Sequence, residues 1–229
     1  MGQLTIRKLG NMDFFREIPK DTLQNLLNES KIVFYKKKEV IFHSRSRTKT
    51  VYFVYSGEVM LYNLTKHGNR KVIFILGKGR LLNQSIVSKK PNALFCEAAC
   101  PVQILEIAEE AFLHLMEQSH DLTRAVLREY ERNLWRMGHQ LKNTTGNMQM
   151  ERKIAAKLWK LGRDFGVDTE DGVMIDIDLT ITLMADLVGA PRENVSRACK
   201  VLTDRGLICY GNKRFILIDF DGLAEFYKM

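Results

Sequence analysis

The chain has no run of about 18 uncharged apolar residues, so no segment is expected to span a bilayer. Its N-terminus, MGQLTIRKLGNMDFF, lacks an apolar stretch followed by a small-residue cleavage site, and no signal peptide is expected. Gly2 opens no lipidation signal, because Arg7 stands where Ser or Thr is required. Cysteine is scarce: Cys96, Cys100, Cys199 and Cys209 make four in 229 residues. Without a secretion signal they read as reduced cytoplasmic thiols. Cys96 and Cys100 fall on one face of an expected strand. No further ligands follow at matching spacing, so buried structural thiols are expected rather than a metal or redox site. Residues 31–107 hold only His43 and His67, too few for the paired His and Glu of a metal-dependent barrel enzyme. No Ser-His-Asp set, phosphate-cradling glycine loop or pair of acids suggests catalysis. An enzyme and a metal cofactor are both disfavoured.

What is present is an ordinary globular composition, 45% apolar and 27% charged, with a net charge of +8. That charge suits a polyanionic partner, but it is unevenly spread. Residues 1–149 carry 23 Lys and Arg against 14 Asp and Glu, whereas residues 150–229 carry 12 against 13. The basic first part reads as a solvated surface. Any nucleic-acid face in the second part must therefore be locally basic.

Three textures follow one another. Residues 11–30 are expected to be helical, from Phe14, Phe15, Ile18, Leu23, Leu26 and Leu27 at three- and four-residue spacing. From 31 to 107, the runs KIVFY, EVIFH, TVYFVY, EVMLYNL, KVIFIL and VQILEI alternate with turns at Ser56-Gly57, His67-Gly68-Asn69, Gly77-Lys78-Gly79 and Lys90-Pro91-Asn92. That pattern predicts an antiparallel barrel or double-sheet roll. Residues 109–149 read as one long helix, with Leu127, Tyr130, Leu134, Met137, Leu141, Thr144 and Met148 on a 3.5-residue seam. A barrel would cover only a short stretch of that seam, and a second copy would cover its length. Leu127, Tyr130, Leu134, Met137 and Leu141 are therefore expected to form a homodimer. Thr144-Thr145-Gly146-Asn147 reads as a hinge, followed by a helix over 150–165, a strand VMIDIDL, two short helices and a hairpin.

The segment LTITLMADLVGAPRENVSRACKVLTDRGLI, residues 179–208, carries the strongest signal. Thr180 suits an N-cap of a helix to about Val188. Gly189 permits a left-handed turn, Pro191 suits the first position of a second helix at about 191–205, and Gly206 suits its end. Helices joined so tightly must nearly touch. Ala185 is small enough for the contact, and Val195 plugs the angle. This is helix-turn-helix spacing. On a helical wheel, Val195, Ala198, Cys199 and Leu202 turn inward, and Glu193, Ser196, Arg197 and Lys200 turn out, with Arg192 on the first turn. Arg pairs bidentately with guanine, Glu accepts from cytosine, and Ser or Lys holds phosphates. Gly211-Asn212 predicts a hairpin turn forming a wing. Lys213 and Arg214 at its tip serve either as phosphate contacts or as a solvated turn.

The motif ADLVGAPRENVSRACKVLTDRGLI and the segment EVIFHSRSRTKTVYFVYSGEV resemble the Crp/Fnr family of transcriptional regulators, and the likeness covers nearly the whole chain. The resemblance implies an α+β architecture: a jelly-roll, cyclic-nucleotide-binding-like sensor barrel (1–108), a dimerisation helix and hinge (109–147), and a winged helix-turn-helix DNA-binding domain (148–229). It implies a cytoplasmic homodimer that reads double-stranded DNA at a palindrome with a TGA-like core and recruits RNA polymerase. Arg192, Glu193, Ser196 and Arg197 match the family's base-reading positions. Lys200, Thr180, Thr182, Lys213 and Arg214 complete the expected DNA contacts. The sequence departs from the family's nucleotide-binding members in the sensor. Their Gly-Glu and Arg-Ser pairs, which hold ribose and cyclic phosphate, correspond here to Asn83-Gln84 and Asn92-Ala93, beside Leu82. Without the Arg, a buried phosphate lacks its strongest hydrogen bonds, and tight cyclic AMP binding is not expected. The first 95 residues hold no Cys for an iron–sulfur cluster, and no haem ligand stands out among His43, His67, His114, His120 and His139. The barrel takes another small anion or nothing. A cyclic-nucleotide-binding module without a DNA role remains the alternative, but it leaves residues 179–208 unexplained.

Overall fold

The structure is a computed structural model describing residues 5–144 and 148–228. Gly2, most of the expected hinge (Thr145, Gly146, Asn147) and the side chain of Thr144 lie outside the described residues. The chain forms two compact units. One comprises the described residues up to Asn63 with Ile73–Gly138, the other Leu64–Val72 with the described residues from His139 on.

Helices α1 (Ile6–Gly10) and α2 (Lys20–Asn28) precede seven strands: β1 (Ser30–Tyr35), β2 (Val40–Phe42), β3 (Thr50–Ser56), β4 (Val59–Leu64), β5 (Arg70–Leu76), β6 (Phe95–Ala98) and β7 (Val102–Ala108). They make two antiparallel sheets, in the orders β1-β7-β3 and β2-β6-β4-β5. Strand β3 shows why the sequence folds this way. Its alternate side chains Tyr52 and Val54 join Phe42, Leu61, Phe74, Cys96 and Ile104 in one core. The intervening Val51 and Phe53 join Leu9, Phe15, Leu105 and Phe112 in a second. A strand buried on both faces reads as a continuous apolar run, as TVYFVY does. Phe53 anchors the second core, with ring centroids 4.7 Å from Phe14, 5.0 Å from Phe15 and 5.8 Å from Phe112.

The expected helix over 11–30 is realised only as α2, and residues 11–18 run through turns. Pro19 disfavours helical backbone at Ile18 and brings no N–H to a ladder. Phe14, Phe15 and Ile18 are buried all the same. Their spacing reports a covered face, not a helix. The single helix expected over 109–149 is two, α3 (Glu109–Gln118) and α4 (His120–Thr144). Ser119 separates them with extended backbone, φ −127°. Its Oγ accepts from the Leu122 N–H at 3.3 Å, capping α4 as the last turn of α3 closes with Ser119 N–H on Leu115 O. The strand expected to carry both Cys96 and Cys100 is the short β6. It contains Cys96, but Cys100 lies two residues beyond it.

The second unit holds α5 (Met150–Phe165), β8 (Gly166–Thr169), β9 (Gly172–Ile175), α6 (Ile181–Val188), α7 (Arg192–Asp204), β10 (Ile208–Gly211), β11 (Arg214–Leu217) and α8 (Phe220–Lys228). Its sheet runs β10-β11-β9-β8. The expected strand VMIDIDL contributes only its start, as β9, which pairs with β8 in a hairpin. Helix α5 packs against α7 and α8, burying Ile154, Leu158 and Leu161, and Trp159 stacks on Phe220 at 5.8 Å.

Candidate nucleic-acid interface

Local chemistry fixes the α6–α7 pair. Thr180 Oγ1 accepts from the Leu183 N–H at 3.1 Å, so its hydroxyl caps α6. Gly189 takes left-handed backbone, φ 72° and ψ 47°, which a β-carbon would strain. Its N–H and that of Ala190 both reach Ala185 O, at 2.8 and 3.2 Å, and turn the chain within one residue. Pro191 sits just before α7 as its cap residue, not inside the first turn, and Val195 N–H bonds its carbonyl at 3.2 Å. The far end closes at Gly206, φ 71°. Leu207 N–H bonds Leu202 O and Gly206 N–H bonds Thr203 O, the two-bond helix stop that a glycine makes easy.

Burial divides α7 as the wheel does. Val195, Ala198, Cys199 and Leu202 are buried, Val195 and Leu202 completely. Ala185 of α6 is buried too. Arg192, Glu193, Ser196, Arg197 and Lys200 are all exposed. Thr182 is exposed on the first turn of α6, and the capping Thr180 is half-buried. Three cations against one carboxylate make this face basic on a unit that is otherwise nearly neutral. Asn194, which sequence reasoning passed over, is half-buried and accepts from Arg197 Nη2 at 2.5 Å.

The wing differs from expectation by one residue. Gly211 pairs with Arg214, so the turn is Asn212-Lys213 rather than Gly211-Asn212. Both turn residues have positive φ, 50° and 61°, as a type I′ hairpin requires. Lys213 O accepts from Leu179 N–H at 2.8 Å, which secures the unusual backbone. Its side chain is exposed. Arg214 is half-buried and pairs with Asp176.

Not all thiols are buried. Cys199 lies in the α7 core and is pushed up to about 11 by burial. Cys96 is raised by complete burial. Half-buried Cys100 is pushed up to about 11 by burial and by its hydrogen bond to Glu58 at 2.9 Å. Cys209 is exposed on β10. Among the described residues no group of three or more His, Cys, Asp or Glu could hold a metal ion. No described helix is long and apolar enough to cross a membrane.

In the sensor segment, Leu82, Asn83 and Asn92 are buried, Gln84 is half-buried and Ala93 is exposed. Asn83 is a backbone staple: its Oδ1 accepts from Tyr52 N–H and its Nδ2 donates to Thr50 O, each at 2.8 Å. Gln84 Oε1 accepts from Ala93 N–H at 3.1 Å and Leu94 N–H at 3.3 Å, and its Nε2 donates to Leu82 O. On α4, Leu122, Ala125 and Val126 are buried, and half-buried Tyr130 packs on the same core. Leu127, Leu134, Met137 and Leu141 are 56%, 72%, 47% and 62% exposed. Glu129 is buried at 5% exposure and paired with Arg80 at 3.3 Å.

A double-sheet barrel, a long helix and a winged helix-turn-helix with an exposed polar second helix together define a class of transcription regulator. The comparisons agree. Residues 32–119 match the cyclic nucleotide-binding domain family, and residues 152–226 match the Crp-like helix-turn-helix domain. The cAMP-activated global transcriptional regulator CRP of Pasteurella multocida is 24% identical over 199 residues, covering 86% of this chain and 94% of that protein. FixK2 of Bradyrhizobium japonicum superposes with a TM-score of 0.74 at 20% identity over 86% of this chain and 96% of its own. A CooA mutant of Carboxydothermus hydrogenoformans gives 0.77 at 18% identity, over 99% and 97%. The chain belongs to the Crp/Fnr family of transcriptional regulators, whose members regulate rather than catalyse.

Proposed function

We propose that the protein is a homodimer that reads a palindromic DNA site with a TGA-like core in each half. Arg192, Glu193, Ser196 and Arg197 face base edges, while Lys200, Thr180, Thr182 and Lys213 hold the backbone. Arg214 contributes by stiffening the wing through Asp176. The working parts are a sensor at 1–108, a dimerisation helix and hinge at 109–147 and a DNA-binding domain at 148–229. Bound at a promoter in the cytoplasm, the dimer recruits RNA polymerase. The observation that carries this reading is the exposure of Arg192, Glu193, Ser196, Arg197 and Lys200 on α7 opposite a completely buried Val195. The left-handed turn at Gly189 and the small, buried Ala185 support it, since they bring α7 close after α6 as a helix-turn-helix requires. Selection from a randomised duplex pool is expected to return a twofold-symmetric site. A site without that symmetry overturns the reading.

The sensor is proposed not to respond to cyclic AMP. Ala93 and Leu94 N–H groups are already bonded to Gln84, and Asn83 is bonded to β3 backbone. No guanidinium stands on the 92–93 pair to hold a cyclic phosphate. Titration calorimetry is expected to show no micromolar binding of cyclic AMP, and a saturable heat in that range would contradict the proposal.

A further inference from the structure

We propose that Asn194 is a positioning residue that draws the Arg197 guanidinium off Glu193, leaving both charged groups free to meet bases. The inference rests on the reading of α7 given above. Glu193 and Arg197 are four apart with the acid nearer the N-terminus, the arrangement that most favours an ion pair along a helix. Such a pair would occupy the two groups best suited to cytosine and guanine and cancel their charges. Among the described residues that pair is not made. Arg197 Nη2 instead donates to Asn194 Oδ1 at 2.5 Å, and Glu193 has no ion-pair partner among the described residues.

The carboxamide suits this task for three reasons. It is neutral, so the guanidinium keeps its full charge. It engages one of five guanidinium N–H groups, leaving enough for a bidentate contact to guanine. Its short side chain is half-buried beside the completely buried Val195, so the acceptor is fixed, whereas the Glu193 side chain is longer and exposed. Holding one rotamer of a long side chain before binding removes part of the ordering cost at the interface.

The test is fluorescence anisotropy on three duplexes: the selected site, the same site altered at the base pair whose preference is lost in Arg197→Ala, and a random sequence. Wild type, Asn194→Ala and the double variant Glu193→Gln/Asn194→Ala are compared. Asn194→Ala is expected to lose about 5- to 20-fold of discrimination at the Arg197-dependent pair, with random-sequence binding within about twofold. Adding Glu193→Gln removes the competing charge and is expected to restore most of that discrimination at that pair. Unchanged discrimination in Asn194→Ala overturns the proposal. So does an equal loss on all three duplexes, which would mark Asn194 as a phosphate contact, and so does failure of Glu193→Gln to restore. Wild-type protein that does not discriminate at all would fell the DNA-reading assignment itself, a distinct outcome.

Discussion

Arg197→Ala is expected to weaken binding to the selected site by about 30-fold to 10⁴-fold while leaving the fold intact. A bidentate arginine–guanine contact supplies roughly 1–3 kcal/mol of discrimination, and a symmetric dimer makes it twice. The side chain is exposed and its bond is to Asn194, one turn earlier on the same helix, so removing it uncovers no core. The thermal midpoint should therefore move little. Binding to random duplex should fall much less, because that term comes from phosphate neutralisation. Anisotropy on the two duplexes gives the ratio directly. A loss that is equal on both would mean Arg197 touches only the backbone.

The second large effect belongs to α4. Wild type is expected to sediment as a dimer, and the double variant Leu134→Glu with Met137→Glu as a monomer at the same concentration. Both side chains are substantially exposed in the single chain, and burying each would contribute about 1.5–3 kcal/mol to association. Four carboxylates on one seam replace that gain with repulsion. The affinity for the full palindrome should drop by about 10²- to 10⁴-fold, since two linked reading heads bind more tightly than one by factors of that size. Affinity for an isolated half-site should stay near the wild-type value for that half-site. A variant that remains dimeric would place the contact elsewhere.

Much of this was legible in the sequence because it is written in local rules. The turn around Gly189, the glycine stop at Gly206 and the two faces of α7 each follow from a spacing and a residue type, and the structure shows them in place. The strand runs were legible for the same reason. The errors share a different cause. Phe14, Phe15 and Ile18 mimic helical periodicity because they join one core, the two rings packing on Phe53, and only Pro19 hints that the backbone is not helical. Ser119 reads as an ordinary helix residue until its hydroxyl is seen to cap the next helix. The wing turn slipped by one residue because Asn-Lys is a poor type I′ sequence taken alone. The bond from Leu179, 34 residues away in the chain, secures it. Tyr130, on the expected seam, packs half-buried on its own unit's core, a contact that the heptad spacing alone does not show. Asn194 was invisible because its contact depends on which of two neighbours Arg197 chooses.

The Gln84 carboxamide has a further consequence. It is an internal competitor for Ala93 and Leu94 N–H, tethered nine residues from the first of them. A soluble anion must displace an acceptor that never diffuses away and is present at an effective concentration of the order of millimolar or above. An anion reaches these two N–H groups only when the glutamine swings aside, so shortening this one side chain is the smallest change that frees them.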